Sequence, residues 1–180
     1  MSEPTFPTPN DLPAHLRQHR LVVLLVDDQP IIGEAVRRAL RRADAGEPAD
    51  ELDRAVLETR GLGQRSELIA DFHDRFERTA WAGLATHVDR CASAGHLGAR
   101  ELLEAAAGHL IEMAAGVAEQ LSLTGPIVLG GGLGSSSILV EALAERAAAA
   151  GLSAPEPLRV PPVHGTLRLA EARARARSPA

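Results

Sequence analysis

Residues 123–139 read LTGPIVLGGGLGSSSIL and predict a strand, a glycine turn and a helix in close succession. A turn signal at Gly125 and Pro126 precedes the short apolar run 127–129, which is typical of a buried strand. Three adjacent glycines follow, then Gly134, three serines and an alanine-rich helical pattern. Such glycines allow positive φ angles and let a backbone approach a ligand without interference from a Cβ atom.

Two interpretations of this turn stay open on the residues alone. Ser135 or Ser136 can cap the following helix, whose N-terminal N–H groups and dipole favour an anion. The same glycines would also serve a tight connection between strand and helix that needs close packing. A glycine motif without further context does not distinguish a ligand site from a structural turn.

Composition limits the classes of protein and of chemistry that the chain can support. Its 180 residues suit one domain, or a domain with an appendage, and 45% hydrophobic residues suffice for a core that is nearly free of aromatic side chains. All 19 basic residues are Arg, so mechanisms that need a lysine, such as Schiff-base formation or a P-loop, are excluded. The net charge of −5 argues against nucleic acid as the main partner.

Cysteine usage and hydropathy indicate the compartment. The single Cys91 excludes an intrachain disulfide framework and fits a reducing compartment. No apolar run approaches the roughly 20 residues of a membrane span, and the proline-rich N-terminus lacks the features of a secretion signal. We therefore expect a cytoplasmic protein with no membrane partner.

His87 and Cys91 are four residues apart on one predicted helix face, but without a CxxC or HxxxH pair a buried thiol and an exposed ring explain them better than zinc.

The chain is predicted to be rich in helix, with few strands. Proline content predicts a disordered arm over residues 1–19, small and polar residues predict a linker over 43–50, and a basic run predicts a tail over 173–180. Hydrophobic periodicity predicts the remaining elements. They are a buried strand at 21–26, helices at 31–42, within 51–83, at about 99–121 and at 138–150, and a short strand and loop before a final helix that begins near Gly165.

The stretch VVLLVDDQPIIGEAVRRAL, within residues 20–42, resembles the opening strand and helix of response-regulator receiver domains. In that family an acidic pair after the first strand helps to bind Mg²⁺ beside a phosphorylatable aspartate, and Asp27 and Asp28 stand in the matching positions. Asp71 and Asp74 are the only candidates for the acceptor aspartate, but their surroundings have helical character, and the family's later lysine is absent. We therefore expect a fragment that is inert in phosphotransfer, with a simple charged strand end as the alternative role of the acidic pair.

Residues 51–172 carry a second and longer resemblance. The segments ELDRAVL, ARELLEAAAGHLIEMAAGVAEQL, TGPIVLGGGL and HGTLRLA occur in the order found in the C-terminal part of BadF/BadG/BcrA/BcrD-type ATPases. That group includes N-acetylglucosamine kinase-like sugar kinases of the acetate kinase, sugar kinase, Hsc70 and actin superfamily. The resemblance implies a partial actin-like, ribonuclease H-like α/β domain, rich in helix with a small sheet. It also implies ATP and Mg²⁺ as cofactors and, if the chain is active, phosphorylation of an amino sugar.

The adenosine motif of that family falls on the glycine turn. Carried over residue by residue, Gly130, Gly131 and Gly132 would face the adenosine and its phosphates, with Gly134 and Ser135 beside them.

The other functional parts of the family have no counterpart in this chain. Its members begin with a DGGGT-like phosphate turn, carry a catalytic aspartate in the N-terminal domain and open the C-terminal domain with a second phosphate turn. LVDDQP stands in place of the first turn, and its two carboxylates would repel a triphosphate unless Mg²⁺ lay between them. We therefore expect a nucleotide-binding, kinase-like protein that is inactive alone and is completed by a second copy or a complementing subunit. The alternative is a truncated or fused response-regulator-like protein without enzymatic activity.

Overall fold

The computed structural model describes residues 22–25, 29–74, 78–122, 126–160 and 162–177. The predicted arm, the acidic pair after the first strand and the last three residues of the predicted tail lie outside these ranges. Within them, no helix is both long and apolar enough to cross a bilayer.

Seven helices and three short strands make up the regular structure of the described residues. In chain order they are β1 (Val22–Leu25), α1 (Gln29–Asp44), α2 (Glu51–Arg60), α3 (Leu68–Asp74), α4 (Arg78–Ser93), α5 (Leu97–Leu121), β2 (Ile127–Gly130), α6 (Ser137–Ala149), β3 (Glu156–Pro157) and α7 (Pro162–Arg177), with 3₁₀ turns at Arg65–Glu67 and Gly132–Ser135.

The strands form one parallel sheet in the order β1-β2-β3. Leu25 pairs with Gly130 at the carboxyl end of β2, and Leu129 pairs with Pro157 of β3. Because parallel strands share one carboxyl edge, the segments that follow Gly130 and Pro157 leave the sheet on the same side. The predicted class, α/β with much helix and a small sheet, is confirmed at this level.

Two boundaries near the C-terminus differ from the predictions. Helix α7 begins at Pro162, whose fixed φ suits the first turn of a helix, rather than near Gly165. It also continues to Arg177, so most of the stretch predicted as a tail is helical, because its alternating Ala and Arg residues have high helix propensity.

Helix α5 is the central element and packs against α6, α4, α1 and strand β1. The sequence spacing predicts one apolar stripe along this helix, formed by Leu103, Ala106, Leu110, Met113, Val117 and Leu121. The first three of these residues are buried, as predicted. Further along, the buried stripe continues through Ala114 and Ala118 and leaves two predicted core residues, Met113 and Val117, exposed. Steps of three or four residues fit both stripes, so only the position of the neighbouring elements decides between them.

A fully buried carboxylate joins α1, α2 and the first 3₁₀ turn. Asp53 accepts hydrogen bonds from Arg38 at 3.3 Å, from Arg42 at 3.3 Å and from Arg65 at 2.9 Å. It also completes a capping box at the start of α2, where Asp50 accepts from the Asp53 N–H at 2.9 Å. These five residues are called the arginine–carboxylate cluster below.

The cluster also reaches the first turn of α5. Arg38 donates to Asp50 at 2.7 Å, and the same carboxylate lies 3.2 Å from Nε2 of His96, the residue that caps α5. The guanidinium passes so close to the helix that a Cβ atom on Gly98 would lie 2.5 Å from its Nε atom. The close approach of Arg38 therefore explains the glycine at this position.

The cluster depresses the pKa of one of its acids. Burial alone would raise the pKa of Asp50, but the hydrogen bonds from Arg38 and from the backbone of Asp53, with the charges of Arg38 and His96, hold this pKa well below its usual range. An acid with a depressed pKa stabilises the fold while it is ionised, so this contribution is lost as the pH falls.

Replacing Arg38 by Ala should lower the free energy of unfolding by about 3 kcal/mol, because it removes a counter-charge from a buried carboxylate. Arg37 provides a matched control on the same helix, since its guanidinium is exposed and its partner Glu34 is half-exposed. Such a pair contributes at most about 1 kcal/mol. Urea denaturation of both variants measures the difference. Equal losses for Arg38→Ala and Arg37→Ala would show that the cluster does not stabilise the fold.

The free energy of unfolding should fall as the pH drops below about 4, the ordinary pKa of Asp in an unfolded chain. The contribution of Asp50 is complete above that value and disappears as the pH falls through the depressed pKa of the folded state. In Asp50→Asn this part of the pH dependence should be missing. Urea titrations at a series of acidic pH values test this, and parallel curves for the two proteins would contradict it.

Candidate functional site

The glycine turn leaves β2 at the carboxyl edge of the sheet. Gly131 has φ 110° and ψ 172°, a region that glycine occupies readily and other residues rarely enter. The following 3₁₀ turn is closed by the N–H of Gly134, which donates to the Gly131 carbonyl at 3.1 Å. A second bond runs from the N–H of Ser136 to the Leu133 carbonyl at 3.0 Å. The turn therefore has a defined shape of its own.

The five residues predicted to bind the nucleotide differ in how exposed they are. Gly131, Gly132 and Ser135 are exposed, whereas Gly130 and Gly134 are buried. A Cβ atom on Gly134 would lie 3.4 Å from the carbonyl oxygen of Leu129, at the close limit of van der Waals contact, so this buried backbone offers no surface to a ligand. The surface that a ligand can reach is thus formed by the three exposed residues.

Gly132 is a glycine that the described neighbours do not require. Its φ angle lies outside the left-handed region, so an ordinary residue could adopt its backbone conformation. No described atom lies within 4 Å of the position that a Cβ atom would take. Neither strain nor packing within the described structure requires glycine here, and the same is true of Gly83, Gly116 and Gly165. What distinguishes Gly132 is its place in a turn at the carboxyl edge of the sheet, where an open backbone can meet a ligand.

The N-terminus of α6 is already supplied with a negative group. Ser136, rather than Ser135, is the capping residue, and its Oγ accepts from the N–H of Leu139 at 3.2 Å. The same hydroxyl donates to Oδ1 of Asp89 on α4 at 2.5 Å. A carboxylate near a helix N-terminus interacts favourably with the helix dipole, and Asp89 would repel a phosphate bound at the same helix end.

The residue that follows β3, Leu158, lies at the same edge of the sheet. The N–H of Leu158 donates to the Leu129 carbonyl at 2.8 Å, which extends the β2–β3 pairing by one residue. Leu158 is nevertheless exposed. The edge therefore combines a bare glycine backbone at 131–132 with an uncovered aliphatic surface, and aliphatic surface beside backbone polar groups is the usual lining of small-molecule sites.

Sequence reasoning missed two of these features. Asp89 is 47 residues away from the serine that it contacts, and no local signal links the two. Leu158 falls in the short strand that the sequence predicts before the last helix, and only the pairing of β3 with β2 places it beside the turn.

The predicted Mg²⁺ ligands Asp27 and Asp28 lie outside the described residues, so that assignment stays a prediction. Asp71 and Asp74 lie in α3, in agreement with the helical character of their sequence. Asp71 is buried and accepts two hydrogen bonds from Arg60, at 2.6 and 3.2 Å.

Helix α4, which packs against α2, carries both His87 and Cys91. Cys91 is buried, as predicted, and burial together with the carboxylates of Glu51 and Asp50 raises the pKa of its thiol. His87 is half-buried rather than exposed, because its Nδ1 lies 2.7 Å from Oγ1 of Thr59. Across the ranges that the structure describes, no group of three or more His, Cys, Asp or Glu residues could hold a metal ion.

A scan against protein-family models finds no match for this chain, and a search of curated proteins finds no similar sequence. The two family resemblances therefore rest on the motifs alone.

Replacing Ser136 by Ala should lower the free energy of unfolding by about 1 kcal/mol, because the first turn of α6 loses its cap. The neighbouring Ser135 is exposed and does not cap the helix, so Ser135→Ala is the control and should be close to neutral. Thermal and urea denaturation measure both changes. A larger loss from Ser135→Ala would show that the capping residue has been misassigned.

Proposed function

We propose that this chain is an adenine-nucleotide-binding module of the sugar-kinase type that its sequence resembles. The adenosine moiety would lie against the carboxyl edge of the sheet, where α/β proteins commonly hold ligands. The observation that carries the proposal is the bare backbone at Gly132, which neither strain nor packing explains in the described structure. The exposed Leu158, which follows the adjacent strand, offers an apolar surface for the flat face of a base.

The charges at the turn favour adenosine over phosphate as the contacting group. Asp89 already lies at the N-terminus of α6, and a second anion there would be repelled. A triphosphate would therefore extend away from α6 and need cations from elsewhere. Mg²⁺ held by Asp27 and Asp28 is the source that the sequence suggests.

The proposal includes no kinase turnover by the chain alone. Transfer to a sugar hydroxyl needs a general base and a phosphate-binding turn, and the sequence shows neither. Phosphorylation of an amino sugar would thus require a partner that supplies both, either a second copy or a complementing subunit. In such an assembly this chain would bind and orient the adenosine.

A receiver-like function receives less support from the described residues. An acceptor aspartate must be accessible to a phosphodonor, whereas Asp71 is buried in a helix and paired with Arg60. Asp74 is exposed but also lies on that helix rather than at the end of a strand.

Gly132→Val tests the nucleotide site without disturbing the turn. The backbone at this position suits any residue, so the fold should persist, while the new methyl groups should obstruct the nucleotide and raise the Kd for ADP at least about tenfold. Isothermal calorimetry with ADP measures the Kd, and circular dichroism melts report the fold. Gly83→Val, at an exposed and open position of α4, is the matched control and should leave the Kd unchanged.

Two outcomes would reject the proposal. One is a wild-type protein that releases no heat with millimolar ADP. The other is equal binding by wild type and Gly132→Val, which would place any nucleotide elsewhere.

Leu158→Asp should weaken binding independently, because a charge would replace the apolar surface offered to the base.

A further inference from the structure

The C-terminal helix α7 presents an exposed surface. Every side chain that the structure describes on this helix is exposed. Val163, Leu167, Ala170 and Ala174 are spaced by four, three and four residues and therefore form one apolar stripe. The stripe includes two large side chains, Val163 and Leu167, which are 57% and 56% exposed.

The sides of this stripe are basic. From their positions on the helix, Arg168 and Arg175 lie on one side of the stripe, beyond Glu171, and Arg173 lies on the other. Arg175 pairs with Glu171 at 3.3 Å. The whole helix carries four arginines against a single glutamate. An amphipathic helix with this pattern suits an acidic partner surface that is apolar along its middle.

Helix α5 presents a surface of this kind. Met113 and Val117 are 65% and 43% exposed and lie one turn apart, and exposed small residues at Ala105 and Gly116 leave room beside them for another helix. A row of exposed glutamates follows on the other side of the small residues, at Glu101, Glu112 and Glu119. We call this surface the outer face of α5.

The two helices are complementary in charge. Helix α5 carries four glutamates and one arginine, and α7 carries four arginines and one glutamate. Each has an exposed apolar stripe beside its charged row, so contact between them would bury both stripes and pair both rows. Within one copy, the residues of the outer face of α5 and the described side chains of α7 are all exposed.

We propose that α7 of one copy docks on the outer face of α5 of a second copy. Because each copy carries both surfaces, a reciprocal exchange about a two-fold axis would satisfy both contacts in one closed dimer. Val163 and Leu167 contact Met113 and Val117 of the other chain, and one row of arginines lies over its glutamates. None of the residues used in this argument belongs to the glycine turn, so the dimer proposal does not rest on nucleotide binding.

An anionic membrane would be another acceptor for a basic amphipathic helix. The stripe of α7 contains no aromatic residue, however, and only two large aliphatic side chains are described on it. Helices that lie in the interface usually bury more apolar surface than this. A membrane would also leave the acidic, apolar face of α5 uncovered and repel its glutamates. A second copy satisfies both surfaces at once.

Charge reversal in two separate variants tests the exchange. The first variant carries Glu112→Arg and Glu119→Arg on α5, and the second carries Arg168→Glu, Arg173→Glu and Arg175→Glu on α7. Each alone opposes like charges across both contacts, so its dimer Kd should rise at least about tenfold over wild type. An equimolar mixture restores opposite charges at both contacts and should form a heterodimer. Sedimentation velocity gives the masses, and circular dichroism confirms that the exposed substitutions leave each variant folded.

The outcomes discriminate between the occupants of α7. The proposal is supported if the wild type dimerises with a Kd that rises with salt, if each variant dissociates and if the mixture recovers the dimer. A wild-type protein that stays monomeric at its highest soluble concentration overturns it. So does a mixture that fails to recover the dimer, since α7 would then bind α5 of its own chain or neither. Co-sedimentation of monomers with phosphatidylserine vesicles, abolished in the α7 variant, would assign the helix to a membrane instead.

Discussion

Asp53 is buried and charged, and the arrangement of the helices before α5 depends on how that charge is neutralised. An unpaired carboxylate in the interior would cost several kcal/mol, so three arginines must converge on it from α1 and from the first 3₁₀ turn. Asp50 links two of these arginines, Arg38 and Arg42, to the cap of α5. The exclusive use of arginine suits this role, because a planar guanidinium can bond two carboxylates at once, as Arg38 does.

The core itself is made of small aliphatic side chains. Alanine and leucine dominate it, and the partly buried Phe72 is the aromatic residue described against it. Small side chains let helices approach closely but give weak directional preference, so the polar contacts fix the relative positions of α1, α2 and α5. A second buried pair, Arg60 with Asp71, connects α2 to α3 in the same way. With the helices held in place, α5 supports β1, and the carboxyl edge of the sheet carries the glycine turn.

Much of the local structure could be predicted from the sequence because its signals are local. The apolar run before the glycines became β2, the serines provided the cap of α6, and the periodicity of residues 99–121 gave α5 nearly to its ends. The positive φ of Gly131 also follows from three glycines at the end of a strand. By contrast, the same periodicity placed Met113 and Val117 in the core, where the buried stripe in fact passes through Ala114.

The sequence by itself determined the α/β, helix-rich fold class, the positions of most helices and the turn at 130–132. These features depend on neighbours within a few residues. The tertiary structure alone decided which of the glycines are free to meet a ligand. The Leu129 carbonyl lies beside the Cα atom of Gly134 and the Arg38 guanidinium beside that of Gly98, whereas Gly132 faces open space. It also brought Asp89 to the start of α6 and joined β1 to β2, across separations that no local pattern encodes. These contacts form only when distant segments pack together. A local sequence pattern therefore cannot show which charges will pair or how much space lies beside a given glycine.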